Sequence, residues 1–443
     1  MRLHKYQTYT TYAIAIGTTI ILCLSFTSPE QNDDYANDTY LRYDDYIYDD
    51  SIKTVLLHPL NNELNYPIIA LKSKAKLKLS FDDLRRNSTP YFYSIIHCDA
   101  NWEPSKLLAM EYIDGFTENE IIDFRFAFNT DLYYTHFNAV FPNENFNITK
   151  SGNYIIKVYA QDQSNQPILT KRFMVYDPQV NINTNIHRAT DVNEQFFRQE
   201  VDFKINHGEY KITNPFDQLN VIILQNFRWD NAISGLKPRF VKDNELDYNY
   251  ESGNVFDGNN EFRNFDIKSI LYQTINIKKI KYNPTDKLVH VDLLDDEVRA
   301  YKQYLSMPDI NGNFLIKRNE GSESEIEADY VKVRFSLPYD FPFTDGNLYL
   351  FGKLSDWKFK EELKLDYDTL NAKYTKEVLL KQGYYNYVYC FVKDGSKNTG
   401  DISVIEGSYS ETENEYTILV YHRPLNENYD KLIGYYTDRS GNQ

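Results

Sequence analysis

Lys74-Ala75-Lys76-Leu77-Lys78-Leu79-Ser80-Phe81 decides the class of fold. Ala75, Leu77, Leu79 and Phe81 alternate with Lys74, Lys76, Lys78 and Ser80, the period of a strand with one face buried, because successive side chains leave opposite faces of an extended chain. Asp82-Asp83 and Arg85-Arg86-Asn87-Ser88 end the run, and Tyr91-Phe92-Tyr93-Ser94-Ile95-Ile96 resumes it as the next strand.

The same signals recur along the chain. Lys150-Ser151-Gly152-Asn153 reads as a turn ahead of Tyr154, Ile156 and Val158, and its Gly-x-Tyr arrangement resembles the tyrosine corner of immunoglobulin-like sandwiches, where the Tyr hydroxyl bonds back to the chain. Val201, Phe203 and Ile205 alternate with Asp202, Lys204 and Asn206, while Val221-Ile222-Ile223-Leu224 is apolar without alternation, as in a buried strand. Val331, Val333, Phe335 and Leu337 alternate again. From there to Gly383-Tyr384-Tyr385-Asn386-Tyr387, through Leu354-Ser355-Asp356-Trp357, the pattern resembles early-set immunoglobulin-like modules. Tyr 39 and Phe 27 among 443 residues fit this reading, since broad rings suit a pleated, half-buried surface. The expectation is an all-β chain of tandem immunoglobulin-like and early-set β-sandwiches. Its parts are a signal peptide (1–25), an acidic extended leader (26–50), an N-terminal sandwich (51–178), a middle β domain (179–320), a C-terminal early-set sandwich (321–425) and a surface tail (426–443).

Arg2, His4 and Lys5 precede an apolar stretch from Ala13 to Leu24, the layout of a secretory signal, with cleavage expected after Ser25. The alternative of lipidation at Cys23 is disfavoured by the bulk of Leu22. Asp33, Asp34, Asp38, Asp44, Asp45, Asp49 and Asp50 then follow without apolar period. Losing Arg2 and Lys5 with the signal takes 48 basic residues to 46 against 64 acidic ones, a field that repels a phosphate backbone and disfavours a nucleic-acid partner. Cys98 and Cys390 lie far apart in different expected domains and read as buried free thiols.

A search for chemistry returns little. His97-Cys98-Asp99 sets three potential ligands in a row, but neighbours on a strand point to opposite faces and the spacing of a structural metal site is absent. No group is evident to orient Cys98 and a histidine for nucleophilic work, and no phosphate-binding glycine loop or serine elbow occurs. Acidic pairs such as Asp82-Asp83 and Asp295-Asp296 say little among 64 carboxylates. The expectation is therefore no catalytic, cofactor or metal residues. Trp357 is expected in the core; Trp102 suits core or interface equally; Tyr112 and Phe116 bracket the turn signal Asp114-Gly115.

Three phrases within 52–177 carry a further resemblance: Ile95-Ile96-His97-Cys98-Asp99-Ala100-Asn101-Trp102, Glu111-Tyr112-Ile113-Asp114-Gly115-Phe116 and Phe141-Pro142-Asn143. Together with Leu79–Leu84, Tyr134-Thr135-His136-Phe137 and Ser151–Tyr154, in this order, the region resembles the first domain of the type IX secretion system plug protein family. The resemblance implies a non-enzymatic periplasmic protein that closes the inner opening of a giant outer-membrane barrel when no substrate is loaded. Its partner would be that barrel, its membrane association would run only through it, and no small-molecule substrate is implied. His97, Cys98, Asp99, Asn101, Trp102, Tyr112, Gly115, Phe116, Phe141, Pro142 and Asn143 become candidate interaction residues as members of the phrases. The competing reading is a glycan-binding accessory protein, drawn from the early-set pattern and the abundant Tyr.

Overall fold

The computed structural model describes residues 40–441 apart from 87–88, 162 and 397–398. The expected signal peptide, Cys23 and most of the acidic leader lie outside the described residues. From Leu41 onward the chain forms one compact unit, all-β as expected, with helices of only four residues such as Ala109–Tyr112 and Ser403–Glu406.

The first sandwich packs two sheets. One runs in the order Tyr46–Ile47, Pro167–Tyr176, Gly152–Ala160, Tyr91–Cys98 and Glu118–Glu120, with Ile68–Ala70 added in parallel to Pro167–Tyr176. The other runs Ile52–Pro59, Leu77–Asp83, Thr135–Phe141 and Asp123–Phe126. Leu77, Leu79 and Phe81 point into the core between them with Tyr91, Tyr93, Tyr154 and Phe173, so the alternation that opened the reading marks the buried face. The tyrosine corner is real: Tyr154 Oη donates to the Lys150 carbonyl at 2.8 Å.

The second sandwich is assembled from distant parts of the chain. Asn181–Arg188, Arg198–Asn206, Glu245–Asp247 and Phe240–Val241 form one sheet, with Val255–Asp257 also paired to Arg198–Asn206. The facing sheet orders Ile233–Ser234, Leu219–Gln225, Glu415–His422 and Lys431–Arg439. The third sandwich sets Ile277–Asn283, Leu288–Leu293, Tyr330–Pro338, Lys373–Lys381 and Asp366–Asp368 against a sheet centred on Gly383–Lys393, which Arg263–Asp266, Phe314–Ile316 and Gly346–Phe351 flank.

Pairing thus crosses the boundaries expected at 320 and 425. Leu219 opposite His422 belongs to one sheet, and Arg263 opposite Tyr387 to another. The segment 426–443, expected as a surface tail, contains the strand Lys431–Arg439, whose Leu432 and Ile433 are buried. The strand lacks alternation because both its faces are covered, Leu432 packing toward the first sandwich and Ile433 into the second core. The end of the supposed leader is likewise built in: Tyr46 pairs with Thr170, and the Asp45 carboxylate accepts from the Arg172 amide at 2.7 Å.

Val221–Leu224 lacks alternation because its sheet is covered on both sides. Val221 and Ile223 enter the second core, while Ile222 and Leu224 meet Cys98, Ile155 and Met174 from the outer face of the first sandwich. Two sandwiches therefore stack as four layers, the arrangement that makes a strand uniformly apolar.

Candidate functional site: buried seams and an exposed apolar edge

The phrase around His97 ends strand Tyr91–Cys98 and turns beneath the second sandwich. Trp102 adopts φ +67°, and its buried ring meets Trp229 edge-on at 5.1 Å. The Arg172 guanidinium lies 4.4 Å from the Trp102 ring centroid, within cation–π range. Asp99 pairs with Arg423 at 2.8 Å, Arg423 also holds Asp430 at 2.8 Å, and Asp430 accepts from the Ala100 amide at 2.9 Å. Tyr421 Oη donates to Asn153 Oδ1 at 2.8 Å, and Asn153 Nδ2 donates to the Asp99 carbonyl at 3.1 Å. His97 is buried among the rings of Tyr112, Tyr154 and Tyr429. Its Nε2 lies 3.2 Å from the Ser151 carbonyl, which can only accept, while Nδ1 has no hydrogen-bond partner among the described residues. Burial pushes its pKa down, so the ring is neutral with the proton on Nε2. Burial pushes the Cys98 thiol up to about 12, and Cys98 and Cys390 are both free and buried, which leaves neither as a poised nucleophile.

The other two phrases hold the first sandwich together. Tyr112 Oη donates to the Ile95 carbonyl at 3.3 Å. Gly115 takes φ +120° where a Cβ would lie 2.2 Å from the Asn145 carbonyl oxygen, so only glycine fits. Phe141 is fully buried, Pro142 follows it through a cis bond, and Asn143 Nδ2 donates to Tyr93 Oη at 3.2 Å and to the Val140 carbonyl at 3.1 Å. Of the candidate residues, Asn101, Gly115 and Phe116 are the exposed ones. Most of the phrase residues are thus spent on internal joints.

A second seam, which sequence reading missed, joins the first and third sandwiches. Lys381 Nζ lies 2.6 Å from Asp82 Oδ2, both side chains sealed from solvent. Tyr330 Oη donates to the same oxygen at 2.6 Å, and His136 Nδ1 lies 2.6 Å from Asp82 Oδ1. Burial raises the Asp82 carboxyl, but Lys381 and His136 outweigh it and hold it below the usual range. Glu325 bridges Lys78 and Arg125, and His136 also lies near it. Nearby, Lys171 Nζ reaches Asp356 at 2.6 Å and Asp45 at 3.1 Å, tying the chain entry to both sandwiches. Asp82 is the first half of Asp82-Asp83, whose one signal in the sequence was its place at the end of an alternating strand.

The third sandwich meets the second beside a cleft of about 1080 Å³ lined in part by Tyr301, Tyr339, Tyr409, Asp230, Asp257 and Asp401. Each carboxylate there is already engaged: Asp230 by Arg228, Asp257 by Arg198, and Asp401 by the Ser403 amide and hydroxyl. Trp357 is half-buried, as its expected core role requires only in part, and packs against Phe262 and Phe351 with Arg228 5.2 Å from its ring centroid.

Apolar exposure concentrates on one edge of the first sandwich. The chain between the edge strands Glu118–Glu120 and Asp123–Phe126, with the residues on either side, leaves Leu108, Met110, Phe116, Ile122, Phe124, Phe126 and Phe128 exposed; Met110 is 81% and Ile122 79% accessible. Single exposed hydrophobics need no explanation, whereas seven within 21 residues of one edge do.

Three sandwiches joined by buried aromatic and ionic seams define a multi-sandwich β scaffold. Residues 52–177 match the family model for the type 9 secretion system plug protein 1st domain, a family of secretion components and not a known enzyme family. The chain is similar to the crystal structure of a hypothetical protein from Parabacteroides merdae, with 35% identity over 90% of this chain and 100% of that one and a TM-score of 0.87. An alkylpurine DNA glycosylase of Pseudomonas fluorescens aligns over 28% of this chain at 9% identity and a TM-score of 0.16, too poorly to bear on fold or function. No curated protein matches the chain.

Proposed function

We propose that this chain is a non-enzymatic periplasmic component of the type 9 secretion system that plugs the periplasmic opening of the outer-membrane translocon barrel while no substrate is loaded. The observation that carries the reading is the match of the first sandwich to the plug family. The architecture supports it. Occlusion of a wide aqueous opening favours a preformed body with little ordering entropy to lose on docking, and the phrase from Ile95 to Trp102 is used here to fasten the first sandwich to the second. The docking surface in this reading is the apolar edge from Leu108 to Phe128, because the phrases themselves are mostly inside. Export by the N-terminal signal belongs to the same reading.

An affinity-tagged copy should recover one very large outer-membrane barrel protein from detergent-solubilised envelopes, and less of it when export substrate is overproduced. Recovery of the chain alone, together with retardation on polysaccharide affinity gels, would replace the plug by the glycan reading.

A further inference from the structure

On the outer face of the second sandwich, His187 stands directly across the strand pair from Glu200, with Asp202 two residues along the same strand. Val201, Phe203 and Ile205 point into the core, so Glu200 and Asp202 share the opposite face. A donor atom from each of the three residues lies within 4.8 Å of the other two. That face is covered: Tyr250 N–H and Asn254 Nδ2 each donate to Asp202 Oδ1 at 3.0 Å, and Glu200 and Asp202 are 1% and 4% exposed.

Two observations point to a ligand. Glu200 Oε2 accepts from the Thr190 amide at 2.7 Å, but Oε1 is buried without a hydrogen-bond partner among the described residues. His187 Nδ1 lies 2.7 Å from the Arg188 carbonyl, which can only accept, so Nδ1 carries a proton. In a neutral ring Nε2 is then a bare lone pair, yet it faces Asp202 Oδ2 at 3.1 Å. Two acceptors at that distance need a second proton or a cation between them. An Nδ1–H bonded to a backbone carbonyl is also the usual support of a metal-bound imidazole. Among the described residues, His187 is the one ion-pair partner of Asp202 and Glu200 has none, a poor match for two acids taken out of water.

We infer that His187, Glu200 and Asp202 form a divalent-cation site of the zinc class, with Nε2 and one oxygen of each carboxylate as ligands and water in the open position. An imidazole with two carboxylates suits Zn²⁺; Ca²⁺ prefers an all-oxygen shell of six or more ligands. The His187 side chain is 28% exposed, which gives the ion a way in. The bound ion joins strand Asn181–Arg188 to Arg198–Asn206 beneath the segment carrying Tyr250 and Asn254, a structural role independent of the secretion reading.

The test is calorimetric titration of chelator-treated, untagged mature protein with Zn²⁺, alongside Ca²⁺ and Mg²⁺, and with the thermal midpoint followed in parallel. One Zn²⁺ per chain should bind and raise the midpoint, with Ca²⁺ and Mg²⁺ much weaker. Glu200→Gln and His187→Gln should each weaken Zn²⁺ at least about tenfold, and metal-free Glu200→Gln should melt no lower than the parent, which shows that it folds. No Zn²⁺ binding, Zn²⁺ binding that survives both substitutions, or Ca²⁺ binding as tight as Zn²⁺ would each overturn the assignment.

Discussion

Trp102 shows how much one side chain carries in this molecule. Its ring meets Trp229, lies beneath Arg172 and sits where the first sandwich abuts the second. Trp102→Ala is expected to cost about 3–5 kcal/mol, the range for removing a buried aromatic, read by denaturant unfolding; a loss near zero would mean that the seam closes without it. Gly152 has φ +144°, and a Cβ there would lie 2.4 Å from His97 Nε2. Gly152→Ala should therefore destabilise the protein measurably, and adding His97→Ala should recover only the steric part, because the φ strain remains. At this scale the sequence spoke clearly about residue type and poorly about position. The phrases holding His97, Tyr112 and Phe141 were recognisable, but nothing in them distinguishes a residue that faces a partner protein from one that faces the next sandwich. A buried seam and a docking face draw on the same rings and charges.

Among elements, strand identity was plain and strand partnership was not. Leu77–Asp83, Tyr91–Cys98, Arg198–Asn206 and Tyr330–Pro338 follow from alternation, whereas the pairing of Leu219–Gln225 with Glu415–His422 joins segments nearly 200 residues apart, and periodicity holds no information on partners. The contact between strands Leu77–Asp83 and Lys373–Lys381 was equally invisible, since a lysine in an alternating run reads as solvent-facing. Lys381→Met should cost about 3–5 kcal/mol by stranding Asp82, and the double change with Asp82→Leu should recover much of it; additive losses in that cycle would argue against direct coupling. The same seam gives a pH signature. His136 and Lys78 hold the Glu325 carboxyl below its ordinary value against the effect of burial. A depressed folded pKa contributes stability above the unfolded pKa of about 4.3, lost as pH falls toward the folded value. The thermal midpoint should drop between pH 5 and pH 3, and Glu325→Gln should flatten that drop; an identical drop in the variant would remove Glu325 from the explanation.

For the whole molecule, the edge from Leu108 to Phe128 can be tested apart from folding. Ile122→Lys with Phe126→Glu changes exposed positions, so the unfolding midpoint should shift by no more than about 0.5 kcal/mol equivalent, while co-purification with the barrel is lost. Retained co-purification would move the docking surface elsewhere. The expected partition into consecutive domains was drawn along the chain, but the structure closes its second sandwich with the last strands. That closure has a consequence for biogenesis. When the polypeptide emerges N-terminus first, residues 181–257 appear with two of the four strands of their facing sheet missing and must wait for nearly the whole remaining chain before Glu415–Arg439 can seal them. Through that interval the edge of Leu219–Gln225 stays unpaired and Ile182, Val201 and Ile205 lack the cover of Ile418, Val420 and Ile433, the kind of surface that chaperones shield and aggregates recruit. A clone ending at 414 would keep the protein permanently in that waiting state, and one ending at 425 would still lack the closing strand Lys431–Arg439.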